Sequence, residues 1–466
     1  MSDLPRIAWF TPLRPVASGI SQYNEELLGI LGQQWPIDVF VDNYRPEPFQ
    51  PFGSLRIFPA QRFERMDRRD RYALVVYQFG NSPAHLYMYE RALRRPGIVV
   101  LHDTMLHHLM LTSLSRRGGA KRYRAMMDRR YGADGIAVAE RVLQGRIPEA
   151  LFSYPLSEEL IEHAPHVIVH SEFARAQVRS ISAGANVSVV PMGIRIPPLI
   201  DRDVARRTLD LPMDLEVIAS VTQINPHKRI DVVLRSLQRL RCRRPAMMLV
   251  AGNTSPNVPL ARWIGLYGLT NAVETLGYVD DRTARLVAAA ADAIVNLRFP
   301  TAGETSASLL RLMAAGRPVL VSDTGSFQEL PDDVVAKVPL DAVEEATIEA
   351  LFEAFADRSE LARQIGSNAR AYVEREHSLN AMVGGYTRVV RQEFELDLPV
   401  PPDVDTSEAL DLPDVSTPRP GDLLIEHAAR SMIELGLAGN DALTRDVAES
   451  LTELGIYPAK MKLERD

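Results

Sequence analysis

Along most of the chain, short runs of consecutive apolar residues alternate with stretches in which apolar positions return every three or four residues. The runs in the first part are "RIAWFTP", "IDVFVD", "LRIFP", "YALVVYQFG", "GIVVLHD", "HVIVHS" and "VSVVPMG". A second series follows: "EVIASVT", "MMLVAG", "VETLG", "AIVNL", "RPVLVSD" and "VVAKVP". Unbroken apolar strands between amphipathic helices predict parallel sheets covered on both faces. Two successive sets of about six strands fit two doubly wound α/β domains, joined where prolines interrupt the pattern in "GIRIPPLIDRD", residues 193–203.

After about Glu395 the pattern stops. "LDLPVPPDVDTSEALDLPDVSTPRP" is an acidic, proline-rich linker by composition, and the segment beyond it reads as two amphipathic helices around a "GLAGND" turn. So short a pair rarely buries a sufficient core alone, and is expected to dock on the body, on a second copy or on a protein partner.

Composition narrows the class. The 466 residues carry a net charge of -7. From Asp397 to the end 15 acids face 6 bases, so the acidity belongs to the tail and the body is slightly positive. Such a body does not read as a nucleic-acid binder. The single cysteine, Cys242, cannot form an intramolecular disulfide, "MSDLPRIAWF" lacks the features of a signal peptide, and no apolar run approaches a membrane span. The expectation is a cytoplasmic enzyme.

In open α/β sheets ligands bind beyond the carboxyl ends of the strands, so the residues following each run are the candidates. After the first run, Ser18 and Gly19 precede a helix expected to begin near Ser21, and Gly19 lets a ligand approach the backbone or is an ordinary turn glycine. After the fourth, Gln78, Asn81 and His85 can hydrogen-bond sugar or polyol hydroxyls on the acceptor side, or Asn81 or Ser82 simply caps a helix. His102 and Asp103 end the fifth run and are expected to face the crevice, where they can serve proton transfer. His107 and His108 follow within a turn, but helical spacing does not converge the four groups on one point, so no metal site is expected.

The second half opens on "SVTQINPHKRID". Asn225 in a polar loop, then Lys228 and Arg229 at a helix start, aim cations and free backbone amides at an anion without the glycine pattern of an NTPase loop. Tyr278 and Val279 in "LGYVDDRT" can offer backbone groups to a nucleobase, or form a plain loop. In "FPTAGETSASLLRLMAAGRPVLVSD", Glu304, Thr305 and Ser306 are read as the mouth of a helix that Gly316 ends. The amides near Thr305 and Ser306 suit a phosphate, and Glu304 suits sugar hydroxyls if a cation balances it; otherwise it only caps the helix.

Taken in order, "SGISQY", "GIVVLHD", "VIVHSEFAR", "VVPMGI", "NPHKRID", "LGYV" and "GETSASLLRLMAAGRPVLVSDTGSFQELPD" resemble the retaining, nucleotide-sugar-dependent glycosyltransferases of the GT-B fold in the large group numbered four. The resemblance runs from the start to about residue 393. It implies an acceptor-side Rossmann-like domain over 1–195, a nucleotide-sugar-binding one over 196–378 and a crossover helix over 379–395, before the linker at 396–420 and a helical tail at 421–466. By the same resemblance Lys228 binds the donor diphosphate, Glu304 the donor sugar, His102 or Asp103 lies beside the transferring carbon, and Gly19 lines the phosphate from the opposite domain. It implies no cofactor or metal beyond the nucleotide sugar, and a glycan, lipid-linked or small-molecule acceptor.

Three positions depart from the family pattern. Arg311 stands where a second Glu usually holds the ribose, Glu304 comes one position late, and Gln223 occupies a place often basic. The nucleotide is therefore not inherited from the resemblance. A sugar-nucleotide-binding protein without turnover, or a GT-B epimerase or phosphorylase, are the competing functions. The basic stretch "SRRGGAKRYRAMMDRR" either meets an anionic membrane peripherally, at its inner face, or is a solvated helix face.

Overall fold

A computed structural model describes residues 4–16, 18–48, 55–68, 71–115, 118–146 and 151–403. Most of the acidic linker and the whole helical tail lie outside the described residues. The first sheet holds β1 (Ile7–Phe10), β2 (Ile37–Val41), β3 (Arg56–Pro59), β4 (Leu74–Phe79), β5 (Ile98–Leu101), β6 (His166–Val169) and β7 (Val187–Val189). They are all parallel, in the order β3-β2-β1-β4-β5-β6-β7. The second holds β8 (Glu216–Val221), β9 (Ala246–Ala251), β10 (Val273–Gly277), β11 (Ala293–Asn296), β12 (Val319–Ser322) and β13 (Ala336–Val338), parallel in the order β10-β9-β8-β11-β12-β13. Each run read as a strand is one.

The central strands are mostly apolar because helices cover both faces: β1, β2, β4, β5, β6, β11 and β12 are buried at every position, and their few polar residues, Asp38, Gln78, His166, Asn296 and Ser322, are buried with them. Each such Val, Ile or Leu contributes roughly 1.5–3 kcal/mol against its exposed state. At the edge of the second sheet, β10 keeps Glu274 and Thr275 exposed, as an edge strand can.

Strand order fixes where ligands can sit. In the first sheet the chain moves outward from β1 to β3, then returns to place β4 on the other side of β1. The second sheet repeats this, with β8 next to β11. At such a switch point the following loops diverge and leave a crevice at the carboxyl edge. The two crevices belong to the loops after β1 and β4, and after β8 and β11.

The chain then returns to the first domain. Helix Ser359–Glu376 stops, Ser378 caps helix Leu379–Glu393 by accepting from the Ala381 amide at 3.2 Å, and Ile194 N donates to the His377 carbonyl at 2.9 Å. The second helix lies on helix Gly19–Leu31: Tyr23 Oη donates to Tyr386 Oη at 2.9 Å, and Trp35 Nε1 donates to the Pro399 carbonyl at 2.8 Å. No helix among the described residues is long and apolar enough to cross a membrane.

Helix Gly19–Leu31 begins two residues earlier than its pattern suggests. The Ser18 hydroxyl accepts from the Ser21 amide at 3.0 Å, so Ser18 is the cap and Gly19 the first helical residue.

Candidate active site

The loops on either side of the second switch point bring an acid and two cations together. Lys228 ends the short turn Pro226–Lys228 after β8, its amide donating to the Asn225 carbonyl at 2.9 Å. The Asn225 side chain does not cap that turn. Lys228 is only 8% exposed, and among the described residues nothing pairs with its Nζ. Burial and the nearby Arg298 charge push the ammonium down to about 7, against the opposing pull of Glu304.

Arg229 leaves the site. Its backbone is left-handed, with φ 53°, and its guanidinium pairs with Glu344. The expectation that both cations face an anion is corrected to Lys228 alone, because the acid that captures Arg229 lies 115 residues further on.

From the β11 side, Arg298 supplies the cation that Glu304 needs. Its Nη1 donates to Glu304 Oε1, while the other carboxylate oxygen accepts from Thr301 Oγ1 and Ala302 N, both at 2.8 Å. Burial alone would raise the Glu304 carboxyl; the Arg298 charge and these donors outweigh it and hold the acid below its usual range. Arg298 Nη2 also donates to Ser306 Oγ at 3.3 Å. The helix itself is Ala307–Ala314, capped by Ser306, which accepts from Leu309 N at 3.3 Å. Glu304 and Thr305 therefore belong to the loop before the helix, and Glu304 is not its cap. Thr305 Oγ1, Arg298 Nε and both amide atoms of Asn296 are buried with no hydrogen-bond partner among the described residues.

The loop carrying Glu304 reaches across to the first domain. The Ala302 carbonyl accepts from Thr104 N at 3.0 Å, Met105 N at 3.1 Å and Thr104 Oγ1 at 3.0 Å. Gly303, at φ +80°, lies so close that a Cβ would fall 2.1 Å from Thr104 Oγ1. Nearby, the Glu329 carboxylate accepts from the Glu172 and Phe173 amides, the first turn of helix Glu172–Ile181.

Asp103, next to Thr104, faces this cluster. Its Oδ2 accepts from the Asn81 amide at 2.7 Å. Burial, then the Glu304 charge, push its carboxyl up to about 7. His227 is pushed down to about 4 by burial and by Lys228 and Arg298. Lys228 and Asp103 thus both lie near neutrality, while His227 is held neutral.

His102 does not stand beside it as a free imidazole. The ring is buried, with Nε2 2.7 Å from Gln78 Oε1 and Nδ1 3.1 Å from His170 Nε2. His170 Nδ1 must donate to the Val190 carbonyl, 2.9 Å away. A neutral His170 then accepts at Nε2, and His102 donates from Nδ1 and accepts at Nε2. Gln78 completes this order by turning its amide NH2 to His102 and its carbonyl oxygen to Tyr386. Burial lowers both imidazoles, His170 to about 4, in keeping with a neutral pair. Gln78 and His102 therefore join the sheet to the returning helix.

The other predicted residues divide. Asn81 does cap a helix, but a different one: its Oδ1 accepts from Leu109 N at 3.0 Å, in helix His107–Thr112. His85 is buried, its Nδ1 on the Gln78 carbonyl at 2.8 Å and its Nε2 without a partner; a Cβ on Gly80 would lie 3.1 Å from that nitrogen and 3.3 Å from Asp103 Oδ2. His107 is held by the Tyr154 carbonyl at 2.9 Å and Tyr123 Oη at 2.7 Å. Gly19, Tyr278 and Val279 line one cleft of about 850 Å³ with Gln22, Glu26 and Arg195. Arg311 lines an adjoining cavity of about 130 Å³ with Ser308, and among the described residues it has no partner. Ser308 Oγ lies 3.0 Å from Ser306 Oγ, which links that cavity to Arg298. No group of three or more metal-ligating side chains occurs among the described residues.

Arg298 is the residue that sequence reasoning missed. It directly follows the apolar run "AIVNL", so the rule that selects Lys228 would have selected it as well.

Residues 201–372 match the family model described as glycosyl transferases group 1. The D-inositol 3-phosphate glycosyltransferase of Mycolicibacterium paratuberculosis is 24% identical over 262 residues, 53% of this chain and 58% of that protein. The match thus spans little more than half of that relative's length. Sucrose-phosphate synthase from Thermosynechococcus elongatus shares the fold, with a TM-score of 0.61 at 18% identity over 84% of this chain and 99% of that one. Anabaena Alr3699/HepE, solved in complex with UDP-glucose, gives 0.57 at 15% identity over 82% and 99%. The architecture is GT-B.

Proposed function

We propose, from the premise that residues 201–372 are a glycosyl transferases group 1 domain, that the chain moves a sugar from a nucleotide-diphosphate sugar to a carbohydrate, lipid-linked or small-molecule acceptor with retention of configuration. The observation that carries this reading is Lys228, an ammonium buried at a switch point with no partner among the described residues, beside an acid already balanced by its own arginine. A lone ammonium in that position is stabilised by an entering anion, and a diphosphate is the anion this fold delivers to that edge.

On this reading Lys228 and the amides that open helix Ala307–Ala314 stabilise the departing diphosphate, the step with the largest electrostatic demand. Glu304 is fixed by three donors and offers its remaining lone pairs to sugar hydroxyls. Asp103, across the contact at Ala302, is a first-domain acid that feels the Glu304 charge. With its carboxyl near 7, it can take a hydrogen bond from an acceptor hydroxyl or give one. His85 Nε2 provides a second acceptor beside it. Proximity of the two substrates supplies the remainder.

Binding without turnover is the second reading, and Arg311 favours it, since a guanidinium cannot accept hydrogen bonds from ribose hydroxyls as a carboxylate can. Membrane contact receives less support, because described arginines of the basic stretch are paired within the domain, Arg124 with Glu140 and Arg130 with Glu162. A cytoplasmic setting accords with the exposed free thiol of Cys242.

Incubation with UDP-, GDP- and ADP-sugars, with mass detection of released nucleotide, tests the proposal. Release from one conjugate that accelerates with an acceptor supports transfer. Tight binding with no release under any acceptor moves the assignment to a binding protein.

A further inference from the structure

We infer that Arg298 is the second phosphate-binding cation of this site, in the role for which position 223 carries only an exposed glutamine. The inference rests on the nucleotide-sugar reading above and deepens it.

Placement comes first. Lys228 follows β8 and Arg298 follows β11, so the two cations leave neighbouring strands on opposite sides of the crevice. Each lies within reach of the other's charge, since Arg298 is a cause of the depressed Lys228 ammonium. A diphosphate between them meets a charge on each flank.

Valence comes second. A guanidinium has five N–H donors in a planar fork that matches phosphate oxygens. Glu304 occupies Nη1 and Ser306 engages Nη2, which leaves Nε and further hydrogens unused. Arg298 is therefore not consumed by Glu304.

The third observation is the company of that Nε. Buried polar atoms without partners are few in native proteins. Here Arg298 Nε, both amide atoms of Asn296 and Thr305 Oγ1 fall within one stretch of ten residues. A ligand oxygen or ordered water completes their bonding. Arg298 would then tie the leaving phosphates to Glu304, so that the group holding the sugar and the group holding the phosphate share one guanidinium.

The test is calorimetric titration of the full chain with inorganic pyrophosphate, UDP, GDP and ADP, for the wild type, Arg298→Gln, Arg298→Lys, Glu304→Gln and the Gln/Gln double variant. Arg298→Gln is expected to weaken the diphosphate ligand about 30-fold, the size of a lost charge-assisted pair, and Arg298→Lys to recover part of it. Arg298→Gln should still cost about tenfold on the Glu304→Gln background, which a residue that merely holds Glu304 would not do. A loss below about twofold, or one that vanishes on that background, overturns the inference. Should Arg298→Gln not fold, Arg298→Lys decides: a loss of about threefold or more supports direct contact, and wild-type affinity overturns it. Wild-type protein that binds none of the ligands would sink the nucleotide-sugar reading instead.

Discussion

The carboxyl edges of the two sheets are both polar and both buried, yet they are built on opposite terms. In the first domain His85 Nε2 is left open beside Asp103, but His102, Gln78, His170, Tyr23 and Tyr386 form a chain in which each group has a partner, ending on the Val190 carbonyl. In the second, Lys228, Arg298 Nε, Thr305 Oγ1 and Asn296 lack partners among the described residues. A completed network fixes one arrangement and leaves nothing to offer a ligand. An incomplete one costs stability in the empty protein and returns it on binding. The difference distinguishes groups by their bonding rather than by residue type, since a histidine at a strand end is fully hydrogen-bonded and an arginine in a loop keeps an unpaired Nε among the described residues.

Mutations on the two sides should part accordingly. Lys228→Met is expected to weaken nucleotide-diphosphate binding about 100-fold, with a melting temperature unchanged or higher, because it removes a charge that burial disfavours. His102→Phe should do the reverse. It leaves His170 Nε2 and one end of the Gln78 amide unpaired and costs about 2 kcal/mol in denaturant unfolding, while nucleotide affinity stays within about threefold. A larger loss of affinity than of stability in His102→Phe would erase the comparison.

The contact between the two edges can be probed at Gly303. An alanine there meets Thr104 Oγ1 and a positive φ, at a cost of about 1–2 kcal/mol. Turnover should fall more than nucleotide affinity, since Thr104 adjoins Asp103; equal losses would place the whole effect in donor binding.

A smaller effect sharpens the electrostatics. The Lys228 ammonium is lowered to about 7 in the empty site, so it loses its charge as pH rises through neutrality, and an entering anion raises it and draws in a proton. Asp103, raised to about 7, acts in the same direction, because its charge appears as pH rises. Affinity for a nucleotide sugar, whose diphosphate does not titrate in this window, should therefore fall severalfold between pH 6 and pH 8. Calorimetry in two buffers of different ionisation heat should show net proton uptake, smaller in Lys228→Met, where Asp103 alone remains to take it up. Proton release would reverse the sign and refute the assignment.

Much of the fold was legible because buried parallel strands announce themselves as unbroken apolar runs; every run became a strand. Strand order was not, since it depends on which loops cross, and neither were the two switch points. Lys228 is singled out in the sequence by its place after a strand, and the structure shows it buried there. Arg229 was misread because the acid that removes it is remote in sequence; that Asn81 caps a helix was one of its readings, but not which helix, since that one begins 26 residues later, at His107. His102 could not be judged without knowing that His170 and Gln78 come from neighbouring strands. Lone residues show chemistry in a sequence, whereas vacancy of their hydrogen bonds shows only in three dimensions.

The most direct test of the central claim is a titration of wild-type and Lys228→Met protein with UDP, GDP and ADP. The account predicts micromolar binding of one nucleotide by the wild type and a loss of about 100-fold in the variant. Equal affinity in both proteins, or no binding to any of the three, would contradict it.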